Sequence, residues 1–158
     1  MKINKLSRLL ISIIICMSAG VLGSLFTKTG PDSWYSQLIQ LNFSPPNWLF
    51  GPVWTILYIL MGISLFLIWQ KGLKKKDLKF AFGIFLLQLL FNAWWSILFF
   101  GLKDPKLAFV DIVILWFLIV FVIYLFSGIR KLAAWLLVPY LLWVSFATIL
   151  NYGIWVLN

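Results

Sequence analysis

The chain has 158 residues, of which 63% are hydrophobic and 11% charged, with a net charge of +9. That balance excludes an ordinary soluble domain, and at about 20 residues per crossing it leaves room for five membrane-spanning helices and short connections. With no histidine, no glutamate and one cysteine, zinc, iron and most hydrolytic chemistry lack their usual residues, and an internal disulfide is impossible.

The first apolar run covers about residues 9–26 and follows Lys2, Lys5 and Arg8. Its basic start and its Ser18-Ala19-Gly20 could belong to a cleaved signal peptide. Against that, Ser12, Cys16, Gly20 and Ser24 recur every four residues, a small-residue stripe that lets another helix approach closely. A retained helix is expected. The connection at about residues 27–47 is the one long loop, and its length fits a lid. Asp32-Ser33 offers a helix start before Trp34, Tyr35, Leu38 and Ile39, which would share one face of a short amphipathic helix. Pro45 and Pro46 stiffen the approach to the second run, about residues 48–70, where Pro52 falls in the first turns.

Within that run Trp54 and Tyr58 are four apart and share a helix face, whereas Trp48 lies near the end and fits an interfacial belt. A lysine-rich turn, residues 71–79, leads to the third run at about 80–102. There Gln88, Asn92, Trp95 and Phe99 form one stripe. Interhelical hydrogen bonding, worth roughly 0.6 kcal/mol per contact, would explain one buried amide. Two amides beside an indole fit a pocket wall. The fourth run, about 107–127, carries Asp111, the one acid within a span. It is read as partly hydrated near the interface, as bonded to the backbone or a facing Asn or Tyr, or as a partner for a ligand's ring N–H groups. The fifth run, about 132–157, aligns Tyr140, Trp143, Ala147 and Asn151, with Ala147 leaving a recess between larger neighbours. Trp69, Trp116, Trp135 and Trp155 are expected to face lipid or the interface.

The basic residues cluster at helix ends, a pattern of topology determinants beside anionic lipid and not of a nucleic-acid binder. With the N-terminus cytoplasmic, ten Lys and Arg fall inside, and Lys28, Lys103 and Lys106 fall outside with the C-terminus. Buried amides and indoles facing one another describe a cavity for a flat, mostly apolar molecule. The residues therefore predict an all-α membrane bundle of five helices, one domain over residues 1–158, with a lid loop between helices 1 and 2.

Three segments carry more specific words: FSPPNWLFGPVWTILY at 43–58, QLLFNAWWSILFFG at 88–101 and PYLLWVSFATILNYGIW at 139–155. Together with Trp34-Tyr35 they resemble the TspO/MBR family of tryptophan-rich sensory and translocator proteins, in the right order and over nearly the whole chain. The resemblance implies a five-helix bundle, commonly a homodimer, in a bacterial cell membrane, with a cavity beneath the first loop. It implies porphyrins, notably protoporphyrin, as ligand or substrate, isoquinoline- or benzodiazepine-type compounds as other ligands, and no resident cofactor or metal. Regulation of tetrapyrrole or stress responses, light-dependent porphyrin degradation and transport of porphyrin-like or lipid molecules all remain open.

The resemblance places Trp54 and Trp143 at the family's paired pocket tryptophans, where they would also serve any photochemistry. The expected ligand contacts are Trp54, Tyr58, Gln88, Asn92, Trp95, Asp111, Trp143, Phe146, Ala147 and Asn151, with Trp34, Tyr35, Pro45 and Pro46 in the lid. Two departures stand out. Before the Pro-Pro pair the family usually has Leu-x-Lys-Pro-x-Trp, whereas this chain reads Leu38-Ile39-Gln40-Leu41-Asn42-Phe43. The basic residue of the animal sterol pattern does not follow Tyr152, so cholesterol is not an expected partner.

Overall fold

The computed structural model describes residues 4–72 and 76–158; the topology charges Lys2, Lys74 and Lys75 lie outside the described residues. Among the described residues, five helices are each long and apolar enough to cross a membrane: α1 (Lys5–Ser24), α2 (Asn47–Trp69), α3 (Lys76–Gly101), α4 (Pro105–Ile129) and α5 (Lys131–Leu157). The chain is an all-helical integral membrane protein, and the expected spans match to within a few residues.

The small offsets have local causes. α1 starts before its apolar run because the Asn4 side chain accepts the Ser7 N–H at 2.7 Å and caps the helix. α4 starts where Asp104 accepts the Leu107 N–H at 2.9 Å, with Pro105 following at a position where its missing N–H costs nothing. α3 ends in a π turn, Ile97–Gly101, and α5 is broken between Lys131–Trp135 and Val138–Leu157 just before Pro139. Proline cannot donate to the carbonyl four residues back, so the helix restarts there. The connection between the fourth and fifth runs, residues 128–131, is shorter than the ends of those runs imply. α4 runs through Gly128 to Ile129, and Arg130 alone, extended at φ −157°, links it to α5.

The expected amphipathic helix in the long loop shrinks to one 3-10 turn, Trp34–Gln37, capped by Ser33 and not Asp32. The Ser36 hydroxyl bonds back to the Pro31 and Ser33 carbonyls at 2.6 and 2.7 Å, closing a single turn, and Leu38 is already extended. Trp34, Tyr35 and Leu38 still pack inward, but Ile39 turns outward at 60% exposure.

Around the bundle α1 lies between α2 and α3, α3 packs on α4, and α4 on α5. The α1–α2 crossing is close because glycine permits it. The Tyr58 ring lies against Gly20, and the Ile13 backbone sits 2.6 Å from where a β-carbon of Gly62 would be. Ser12 and Cys16 of the small-residue stripe are fully buried here, while Ser24, its last member, is exposed. α2 meets α5 mainly through Lys131–Trp135 and barely touches Val138–Leu157. The lysine-rich end of the bundle is packed solid around the stacked Phe85 and Phe126 rings, 5.6 Å apart, with Met61, Leu65 and Ile68 fully buried. Toward the loop side α2 and α5 part, and the gap between them becomes a cavity.

Candidate functional site: an aromatic cavity beneath the long loop

The cavity has a volume of about 580 Å³ and draws its walls from all five helices and the loop. Such a volume suits a small organic molecule. Of the residues expected to meet a ligand, Trp54, Tyr58, Asn92, Trp95, Trp143, Ala147 and Asn151 line it. Gln88, Asp111 and Phe146 do not.

The floor is a chain of hydrogen bonds across three helices. The Tyr58 hydroxyl donates to Asn92 Oδ1 at 2.5 Å, Asn92 Nδ2 donates to the Tyr140 oxygen at 3.0 Å, and the Tyr140 hydroxyl donates to Gln88 Oε1 at 2.9 Å. All four side chains are buried, and these bonds offset much of the cost of burying them in an apolar bundle, although Gln88 Nε2 meets no partner among the described residues. Gln88 thus holds the floor from below. Asp111 is 5% exposed, so it is not the hydrated interfacial group considered for it, and its Oδ2 meets no hydrogen-bond partner among the described residues. Phe146 sits behind the wall, 5.9 Å from the Trp143 ring and 6.4 Å from that of Phe43 in the loop.

The rings are held in fixed relations. Trp54 stacks on Tyr58 with centroids 5.5 Å apart and meets Tyr140 edge-on at 6.2 Å. Trp95 donates its indole N–H to Asn151 Oδ1 at 2.8 Å, and Asn151 Nδ2 donates to the Pro105 carbonyl at 2.7 Å, tying α3, α5 and the start of α4 together. Trp95 also stacks on Phe99 at 5.0 Å. Across the cavity Phe50 meets Trp143 edge-on at 5.7 Å. Every lining side chain is uncharged. Such a wall offers ring faces and a few amide and hydroxyl groups, and it repels a bare charge.

The loop covers the cavity. Trp34 packs edge-on against Phe99 at 5.8 Å, and Tyr35, 7% exposed, lies against Phe99 and Phe100 and contributes to the lining. Burial pushes the Tyr35 hydroxyl above its ordinary pKa. Pro45 and Pro46 are not in the lining; Pro46 precedes the first residue of α2. The sequence did not single out what fastens the loop. The Ile39 N–H donates to Asn158 Oδ1 at 2.9 Å, and Asn158 Nδ2 donates back to the Ile39 carbonyl at 3.1 Å. Leu41 lies so close to Gly153 that a β-carbon there would sit 2.5 Å from its Cδ1. A side chain that forms a two-way bond to extended backbone leaves no periodic signal in a sequence.

The other tryptophans divide between exposed and half-buried positions. Trp135 is exposed, but Trp116 donates to Ser145 Oγ at 2.8 Å, Trp69 packs on Phe82 beneath the Arg8 guanidinium, and Trp155 packs on Phe109 and Tyr152. Trp48 is 72% exposed, as an interfacial ring should be, yet it also lines the cavity.

Comparison with known proteins agrees with this geometry. The profile of the TspO/MBR family matches residues 12–156. The tryptophan-rich protein TspO of Chlorobaculum tepidum is 46% identical over 145 residues, covering 91% of each chain. That of Archaeoglobus fulgidus is 41% identical over 152 residues, covering 96% of this chain and 97% of its own. The human translocator protein is 35% identical over 135 residues, covering 84% and 79% respectively. With its five spans, its tryptophan-walled cavity and these relatives, the chain belongs to the TspO/MBR family.

Proposed function

We propose that this protein is a membrane receptor for a tetrapyrrole of the protoporphyrin type, or a similarly flat apolar molecule, and that it reports on tetrapyrrole or stress status. The observation that carries this reading is the uncharged cavity in which Trp54, Trp95 and Trp143 present indole rings around a floor of amides and phenols. Ring faces take up a planar macrocycle by stacking, and the amides and phenols can meet its central nitrogens. The carboxylates of a porphyrin would stay at the mouth, because the walls carry no cation to receive them; Lys28 lies between Thr27 and Thr29, both of which reach the cavity. A metal-free porphyrin fits better than haem, since the chain has no histidine to ligate iron. The membrane would be that of a bacterial cell, with the N-terminus cytoplasmic and the protein a homodimer.

The test is a dark titration of purified protein with protoporphyrin, following tryptophan emission and porphyrin absorbance. Saturable quenching with a shifted absorbance band is expected. Neither change would sink the reading. The degradative alternative is favoured by one contact, the stack of Trp54 on Tyr58, whose hydroxyl is hydrogen-bonded to Asn92. An indole beside a hydrogen-bonded phenol is a natural electron donor to a photoexcited porphyrin in the presence of oxygen. Protein-dependent conversion of the pigment under light, lost in Trp54→Phe, would favour it.

A further inference from the structure

The cavity is shut on the loop side and open on its flank. Its lining residues from α3, α4 and α5, and Tyr35 from the loop, are all buried or half-buried. The exposed lining residues all come from the end of α1 with the residues just after it and from the start of α2: Val21, Ser24 and Thr27 on one side, Asn47, Trp48, Gly51 and Thr55 on the other. If their exposure came only from the hollow within, the other walls would share it.

These residues border a window with definite limits. On the lysine-rich side it is closed by the Tyr58 ring against Gly20. At the loop end it is closed by the Asn47 side-chain N–H, which donates to the Thr29 carbonyl at 3.1 Å. Between those two points a β-carbon on Gly51 of α2 would meet nothing within 4 Å. The loop, by contrast, is fastened at Trp34, Leu41 and Ile39.

The geometry points to this α1–α2 window as the port through which ligand reaches the cavity, directly from the membrane leaflet on the loop side. The position decides the class of ligand. A molecule using this route is dissolved among acyl chains before it binds, so it is apolar and flat enough to pass between two helices. Any charged group trails at the headgroup level. None of the lining residues at the rim is charged, and the Ser24, Thr27 and Thr55 hydroxyls are all committed to carbonyls of the preceding turn. Nothing at the window favours a hydrated ion. This inference rests on the receptor reading for its ligand but not for its geometry.

Gly51 makes the port testable, because a β-carbon there meets nothing within 4 Å. In Gly51→Phe the new β-carbon meets no neighbour within 4 Å, and the ring is expected to fill the window. Protein in lipid nanodiscs is mixed with protoporphyrin in a stopped-flow instrument, and tryptophan quenching gives the association rate. Gly51→Phe is expected to slow association at least tenfold, whereas Gly30→Phe, an equally uncrowded glycine on the loop, changes it less than twofold. A strapped variant, Ile39→Cys with Asn158→Cys in a Cys16→Ala background, bridged by a short bifunctional thiol reagent, is expected to bind at the wild-type rate. An unchanged rate in Gly51→Phe, or a tenfold slower one in the strapped protein, overturns the inference.

A second measurement needs no porphyrin binding. A photoreactive hydrocarbon, adamantyl diazirine, is dissolved in the lipid and activated, and the labelled peptides are mapped by mass spectrometry. Label is expected around Trp143 and Ala147 in the wild type and the strapped protein, and lost in Gly51→Phe. Absence of that label in the wild type overturns the window even if protoporphyrin binds. Its presence, with no protoporphyrin quenching, keeps the window and refutes the porphyrin reading.

Discussion

Gly62 and Gly51 lie on the same helix, and the same substitution should act on them in opposite directions. Replacing glycine by alanine within a helix is worth about 0.5–1 kcal/mol of stability where nothing obstructs the methyl group. At Gly51 nothing lies within 4 Å, so Gly51→Ala should gain that amount. At Gly62 the new β-carbon would stand 2.6 Å from Ile13 Cα and 3.1 Å from its backbone nitrogen. Ordinary contact begins near 3.4 Å, so α1 must retreat by about 0.8 Å. The obstacle is backbone, which cannot step aside as a rotamer can. Overpacking of this kind costs about 1–3 kcal/mol, which outweighs the propensity gain. Gly62→Ala is therefore expected to lose roughly 0.5–2 kcal/mol net. Thermal unfolding in detergent, followed by circular dichroism, should move the two melting temperatures to opposite sides of the wild type. A Gly62→Ala protein more stable than wild type would mean that α1 and α2 do not cross where described.

Changing Trp54 and Trp143 together to Leu should weaken protoporphyrin binding at least tenfold, about 1.4 kcal/mol; an unchanged dissociation constant in the folded double variant would remove both rings from the site. Haem should bind no better than metal-free protoporphyrin, and a low-spin spectrum with an axial ligand from the protein would contradict this. Asn158→Ala should speed hydrogen exchange at Ile39 and its neighbours while leaving the helix centres unchanged; equal exchange in both proteins would show that Asn158 does not strap the loop. Asn92→Leu leaves the Tyr58 hydroxyl without its acceptor, and about 1–3 kcal/mol of stability should be lost. Tyr58→Phe in the Asn92→Leu background should cost less than in the wild type.

The five spans were legible because lipid imposes a simple rule: every backbone group must bond within its own segment, so apolar length reads directly as helix. The stripe from Gln88 to Phe99 was legible for a related reason, since amides that deep have to face inward. Their division of labour was not. Asn92 lines the cavity while Gln88 supports it from beneath, and one turn of helix separates the two roles. The place of Asp111 a few residues into its span allows either hydration near the interface or an inward partner, and its burial is set by neighbours on other helices that the local sequence does not name. The loop was the least legible element. Its order rests on Asn158, on the Leu41–Gly153 contact and on one short 3-10 turn, long-range or aperiodic features that no local pattern encodes. Trp48 was assigned to the belt from its position alone, and its second role at the window needed α1 alongside it.

The floor beneath the rings has a consequence for what can pass through this protein. Below the line of Tyr58, Asn92, Tyr140 and Gln88 come the stacked Phe85 and Phe126, then Met61, Leu65 and Ile68, with the Ser64 hydroxyl pinned to the Ala133 carbonyl at 2.7 Å. The hollow is a cup and not a pipe. On the proposed receptor reading, a guest would sink only as far as the phenols and leave by the way it entered. To deliver cargo to the opposite leaflet the bundle would have to unstack two phenylalanines and break a buried polar chain in every cycle. Holding a guest at a fixed depth, as the proposed receptor role requires, asks nothing of the kind: such a cup would measure how far a molecule reaches and return it to the half of the membrane it came from.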